Sequence, residues 1–212
     1  MNAERPIRSP FPLWVIWTAG FLSFPLAGLA GTAVAGRVDD PVAALIGGAV
    51  AGLVIGAGQA LASRRRLDWR RWIPATTLGM GLGLLLGAGI VGYATSLADL
   101  ALMGALAGVP LGVAQTLALP GWAGIRWAWA AAMPALWALG WTVSTFAGVN
   151  VGRQFTVFGA TGALTFSALS GLLLLWLLPR TTAADDRRHA VHTRVREAAA
   201  EAPSQRPASA TP

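Results

Sequence analysis

Six long apolar stretches, each free of charged side chains in its interior, occupy most of this 212-residue chain. They run over roughly 13–35, 42–62, 74–95, 99–119, 126–147 and 155–178. An α-helix rises about 1.5 Å per residue, so about 20 such residues match a hydrocarbon core about 30 Å thick. Charged residues make up only 12% of the chain, against about a quarter in a typical soluble domain. The stretches are also rich in Gly, which costs about 1 kcal/mol relative to Ala inside an ordinary soluble helix but is common where helices pack closely in lipid. The expected fold is all-α: a polytopic bundle of six transmembrane helices over 1–179, followed by a cytoplasmic tail over 180–212.

The charges orient this bundle. All 16 basic residues are Arg, against 9 acids, for a net charge of +7. Fourteen of the Arg fall in the N-terminal segment, the second and fourth connections and the tail, and two, Arg37 and Arg153, fall in the other connections. Basic residues are retained on the cytoplasmic side, so both termini are expected there. Arg-only basicity and abundant Ala fit a bacterial plasma membrane. Arg5 and Arg8 followed by an apolar run and Ala33-Val34-Ala35 also resemble a secretory signal. That run is longer than a usual signal core and belongs to an internal repeat, so it reads as a retained helix.

The repeat emerges when the chain is compared with itself. Residues 48–62 match residues 104–118 at eight of fifteen positions with an offset of 56, including Gln59 and Gln115. A weaker third copy over 159–172 has Ser170 at the polar position. Trp14, Trp72 and Trp127 open the odd-numbered stretches, at 45, 43 and 43 residues before Gln59, Gln115 and Ser170. Three hairpins of one orientation follow, at about 13–66, 71–122 and 126–178, with a pseudo-threefold axis along the membrane normal. Gly48, Gly52 and Gly56, then Gly104, Gly108 and Gly112, then Gly159, Ala163, Ser167 and Gly171 recur every fourth residue. Each set lines one helix face and permits close packing. Gly79, Gly83 and Gly87 repeat the device in the third stretch. Pro25, Pro110 and Pro134 are expected to kink their helices.

Gly56-Ala57-Gly58-Gln59, then Arg64-Arg65-Arg66, then Trp72-Ile73-Pro74-Ala75-Thr76 and a Gly-rich span resemble the repeats of uncharacterised six-pass bacterial membrane proteins over about 13–178. Here Ala60 and Thr116 follow the Gln where those repeats often have an aromatic residue, and the second copy lacks the Arg run. The resemblance implies the six-pass architecture and carries no activity.

Gln59, Gln115 and Ser170 are the polar intrusions of interest. They either ring a polar vestibule on the axis or form interhelical hydrogen bonds that fix register. No ionisable residue sits in mid-membrane, which argues against a proton-coupled pump. Asp99 suits the start of the fourth helix. Arg64, Arg65, Arg66, Arg70 and Arg71, interleaved with Trp69 and Trp72, would suggest nucleic acid in a soluble protein. Beside two membrane helices they read as contacts to anionic inner-leaflet lipids, and no nucleic-acid partner is expected.

No paired carboxylates share a helix face, no Gly-x-Ser-x-Gly appears, and no His or Glu lies within a span. Gly79-Met80-Gly81-Leu82-Gly83 lacks the neighbours of a nucleotide site. His189 and His192 in the tail lack further ligands for a metal. The tail is expected to form a polar helix over 182–201 and to be disordered over 202–212. No cofactor is expected. The chain therefore reads as a non-enzymatic membrane scaffold or interaction protein, with a homo-oligomer or another membrane protein as its partner. The alternative is a small neutral-solute or lipid-binding protein with a pocket on the axis.

Overall fold

The computed structural model describes residues 11–121, 126–153 and 155–177. The chain divides between Leu178 and Pro179. The tail over 180–212, with its expected helix and two His, lies outside the described residues.

The described chain is a bundle of six helices. We label them α1 (Phe11–Ala35), α2 (Pro41–Ala62), α3 (Trp69–Ile90), α4 (Leu97–Ala118), α5 (Trp127–Phe146) and α6 (Ala160–Leu177). Five of these, all but α5, are long and apolar enough to cross a membrane. Helix α5 is 20 residues long and carries no charge, but its four Trp and one Pro lower its mean hydropathy.

Local chemistry fixes the helix starts. Asp40 caps α2, its Oδ1 accepting from the backbone N–H groups of Val42 at 2.7 Å and Ala43 at 3.0 Å. Asp68 does the same for α3 through Arg70 N, at 3.0 Å. This places Trp69 through Ile73 inside the helix and starts it five residues before the apolar stretch that marks it in the sequence. Ser96 caps α4 by accepting from Asp99 N at 3.2 Å, and its hydroxyl donates to the Asp99 carboxylate at 2.5 Å. These bonds satisfy N–H groups that have no partner within the helix.

Of the proline positions, Pro25 coincides with a break. It lacks the N–H that would bond Phe21, and the helix tightens there into a 3-10 turn at Gly20–Leu22. Helices α4 and α5 run through Pro110 and Pro134 without interruption, as α3 does through Pro74. Neighbouring helices supply the tight packing that makes Pro tolerable in such settings.

The helices pack in a closed ring. Each contacts the next in sequence, the second half of α1 lies on α2, and the first half of α1 lies on α6. The side chains sort by size. Helix α2 buries Ala44, Gly48, Ala51, Gly52 and Gly56, and turns Val42, Leu45, Ile46, Leu53 and Leu61 outward. Leu78, Leu82 and Leu86 of α3 and Leu102, Val109 and Leu117 of α4 also face out. A continuous apolar exterior of this extent is foreign to a soluble monomer and suits a lipid solvent.

The glycine rows set the spacing. A methyl group added at Gly52 would lie 2.6 Å from Thr76 O, and one at Gly108 would lie 2.6 Å from Pro134 Cα. One at Gly83 would lie 2.5 Å from Ala107 O. Gly48, Gly52 and Gly56 therefore seat α3, Gly104, Gly108 and Gly112 seat α5, and Gly79, Gly83 and Gly87 seat α4. The α6–α1 contact is built differently: Gly171 faces the indoles of Trp14 and Trp17 rather than backbone. Helix α6 begins at Ala160, so the segment Phe155–Gly159, apolar in the sequence, is not helical. Within it Phe158 is buried against Phe24, Trp137, Trp141 and Phe166.

Candidate functional site

A buried layer of indole and amide groups lies inside the end of the bundle that carries the 63–68 and 119–126 connections. Trp17 of α1, Trp72 of α3 and Trp129 of α5 meet there edge to face. Their ring centroids are 6.4 Å apart for Trp17–Trp72, 6.3 Å for Trp17–Trp129 and 5.9 Å for Trp72–Trp129. Such contacts place the positive edge of one ring against the negative face of another.

Each indole then donates its N–H to a polar side chain on the preceding helix of the ring. Trp72 Nε1 bonds Gln59 Oε1 at 3.0 Å, Trp129 Nε1 bonds Gln115 Oε1 at 2.9 Å, and Trp17 Nε1 bonds Ser170 Oγ at 3.1 Å. The bonds join α2 to α3, α4 to α5 and α6 to α1. They lie between the hairpins rather than within them.

Because an indole N–H can only donate, both Gln residues must present Oε1 to their Trp. Gln115 is left with its NH2 group, which donates to Thr76 Oγ1 at 3.0 Å and to Gln59 Oε1 at 3.3 Å. Thr76 accepts because its own hydroxyl proton points to Trp72 O, at 2.9 Å. The proton positions of the layer are thereby dictated one after another. Gln59, Gln115, Thr76 and Ser170 are all buried, with Gln115 only 1% exposed.

The three polar positions singled out in the sequence are thus drawn into one layer, and each accepts an indole hydrogen bond from another helix, while the Ser170 hydroxyl donates to Ser167 O within α6 at 3.3 Å. Of the three Trp that mark the repeat, only Trp72 lies in the layer: Trp14 donates to Ala168 O at 2.9 Å and Trp127 is exposed. Trp17, Trp129 and Thr76 are the site residues that the sequence reading missed. The separations 59 to 72 and 115 to 129, of 13 and 14 residues, are a signal that would have found Trp129; none of this kind marks Trp17 or Thr76.

No family model, curated protein or solved structure matches the chain.

Two other features stand apart from this layer. Arg64, Arg65, Arg66, Arg70 and Arg71 are all exposed around the α2–α3 connection. Arg71 approaches Asp68 at 3.8 Å, and Arg70 lies over the Trp69 ring at 5.4 Å. At the opposite end a cleft enclosing about 20 Å³, room for a single water, is lined by Tyr93, Thr95, Met103, Trp141 and Phe155 among others. Among the described residues no group of three His, Asp or Glu is placed to hold a metal ion.

Proposed function

We propose that this chain is a non-enzymatic membrane scaffold or interaction protein, a six-span bundle made of three copies of one hairpin about a pseudo-threefold axis. The observation that carries the reading is the cyclic order of the Trp17–Ser170, Trp72–Gln59 and Trp129–Gln115 bonds around three indoles in mutual contact. The matched positions Gln59, Gln115 and Ser170 each accept from a Trp of the next hairpin. Helix α5 is then the sixth span: it is free of charge, and Trp129, Trp137 and Trp141 are buried among protein side chains rather than exposed to lipid.

The same layer favours a scaffold over the alternative pocket for a small neutral solute or lipid. The Gln amides bond one another and the indoles, and the Trp rings occupy the place a vestibule would need. The glycine rows seat helices of this chain, so self-association or a membrane-protein partner would use the outer Leu- and Val-rich faces. The Arg distribution supports a cytoplasmic side for both termini and for the 63–68 and 119–126 connections, and Arg-only basicity with abundant Ala supports a bacterial plasma membrane.

Purification of the whole chain in a mild detergent, with identification of co-purifying proteins and small molecules, tests this reading. A partner or a second copy at fixed stoichiometry is expected. A retained solute, lost from a folded Gln59→Leu/Gln115→Leu variant, would overturn it.

A further inference from the structure

We propose that the α2–α3 connection binds the headgroup of an anionic phospholipid carrying more than one negative charge. The inference rests on the reading above only for the side of the membrane on which this headgroup lies.

The charge at this place is concentrated and largely uncompensated. Residues 64–71 hold five Arg and one acid, Asp68. Asp68 is already engaged by Arg70 N and faces Arg71 at 3.8 Å, with both side chains more than half exposed. Among the described residues, Arg64, Arg65 and Arg66 make no ion pair. The two Arg at the other end of the bundle are placed differently. Arg37 approaches Asp39 at 4.0 Å and donates to Gly152 O at 3.4 Å, and Arg153 lies over the Phe155 ring at 5.5 Å.

The connection is also held in a fixed shape. Ser63 Oγ donates to Ala60 O at 2.7 Å and accepts from Leu67 N at 3.4 Å, while the Leu67 side chain is buried. Between these anchors Arg64 and Arg65 adopt left-handed backbone conformations, with φ of 51° and 68°. That region is uncommon for residues other than Gly, Asn and Asp, yet Arg stands at both positions. The result is a short turn presenting in succession three guanidinium groups that pair with no acid among the described residues.

Orientation of the protein requires only that Arg be more numerous on one side. It does not require five of them within 64–71, when 119–126 has one, Arg126. Guanidinium pairs with phosphate through two parallel hydrogen bonds, and several in succession suit a headgroup with two phosphates. Exposed Trp69, at the start of an apolar helix, adds the amphipathic ring favoured at headgroup depth.

Native mass spectrometry of the whole chain in detergent, titrated with diphosphatidylglycerol, phosphatidylglycerol or phosphatidylcholine, tests the proposal. Retention is expected to fall in that order. The R64Q/R65Q/R66Q variant should lose diphosphatidylglycerol by about tenfold or more, judged from the typical contribution of each basic residue near an anionic surface. Arg66→Gln alone, at an exposed position outside the left-handed pair, should weaken it several-fold even if the triple variant does not fold. R64K/R65K/R66K, which keeps the charge but loses the paired guanidinium donors, should retain less than the wild type and more than the Gln variant, and R37Q/R153Q should match the wild type. Equal retention of phosphatidylcholine, wild-type retention by a folded Gln variant, or displacement of the lipid by millimolar inorganic phosphate or by RNA would overturn the proposal. None of these results depends on which side of a membrane the connection faces.

Discussion

Gln115 and Trp129 are joined across α4 and α5 by a 2.9 Å hydrogen bond from the indole N–H to the amide oxygen, and this one bond decides which way the whole amide points. With Oε1 committed, the NH2 group of Gln115 faces Thr76 and Gln59, and so α4 is tied to α3 and α2 through the same side chain. One residue therefore holds four helices in register.

Replacing Gln115 by Leu should leave the Trp129 N–H without an acceptor and remove a donor from Thr76 and Gln59. A buried polar group deprived of its partner costs about 1–3 kcal/mol. The melting temperature of the purified chain in detergent should fall clearly for Gln115→Leu. It should fall less for Ser170→Ala, which removes the acceptor of Trp17 alone. In a double-mutant cycle with Trp129→Phe, the coupling to Gln115 should be about 0.6–2 kcal/mol, the range seen for interhelical bonds in membranes. Additive effects would mean the bond carries no stability.

Two glycines of α3 separate packing from propensity. A methyl group at Gly83 would meet Ala107 O at 2.5 Å, whereas one at Gly89 would meet nothing within 4 Å. Gly83→Ala should destabilise by about 1–3 kcal/mol, because α3 and α4 must move apart. Gly89→Ala should be neutral or stabilising by up to about 1 kcal/mol, the gain of Ala over Gly inside a helix. Thermal unfolding of the two variants side by side measures the difference.

The aromatic layer makes a similar contrast between a buried and an exposed Trp. Trp17→Ala removes a ring buried to 2% exposure, and such truncations cost about 3–5 kcal/mol. Trp127→Ala alters a ring that is 53% exposed and should shift the melting temperature little. If the two variants behaved alike, the assignment of Trp17 and Trp129 rather than Trp14 and Trp127 to the layer would be wrong.

The Trp partners of Gln59, Gln115 and Ser170 show where the sequence was readable and where it was not. The fourfold spacing of Gly48, Gly52 and Gly56 identified a packing face, because a helix face follows from backbone periodicity alone. The common positions of Gln59 and Gln115 were legible for the same reason. Which Trp reaches them depends on side-chain direction and on how far each helix is rotated, and Trp14 and Trp17 lie three residues apart near the same face. The Phe155–Phe158 segment was read as part of a span because its residues are apolar. Its Phe158 reaches the aromatic cluster from a non-helical backbone, an arrangement that hydropathy does not encode. Helix α5 shows the reverse case: its Trp residues lower its mean hydropathy although most are buried against protein.

Whether α5 crosses the membrane is the point on which the three-hairpin account turns, since the ring has no meaning in a bilayer with five spans. The chain contains no Cys, so single-Cys variants give a label at one place only. Gly121→Cys, before α5, and Asn150→Cys, after it, both lie at exposed positions. In intact cells a membrane-impermeant maleimide should label Asn150→Cys, and should label Gly121→Cys only after the membrane is opened. Labelling of both from the same side would contradict the account.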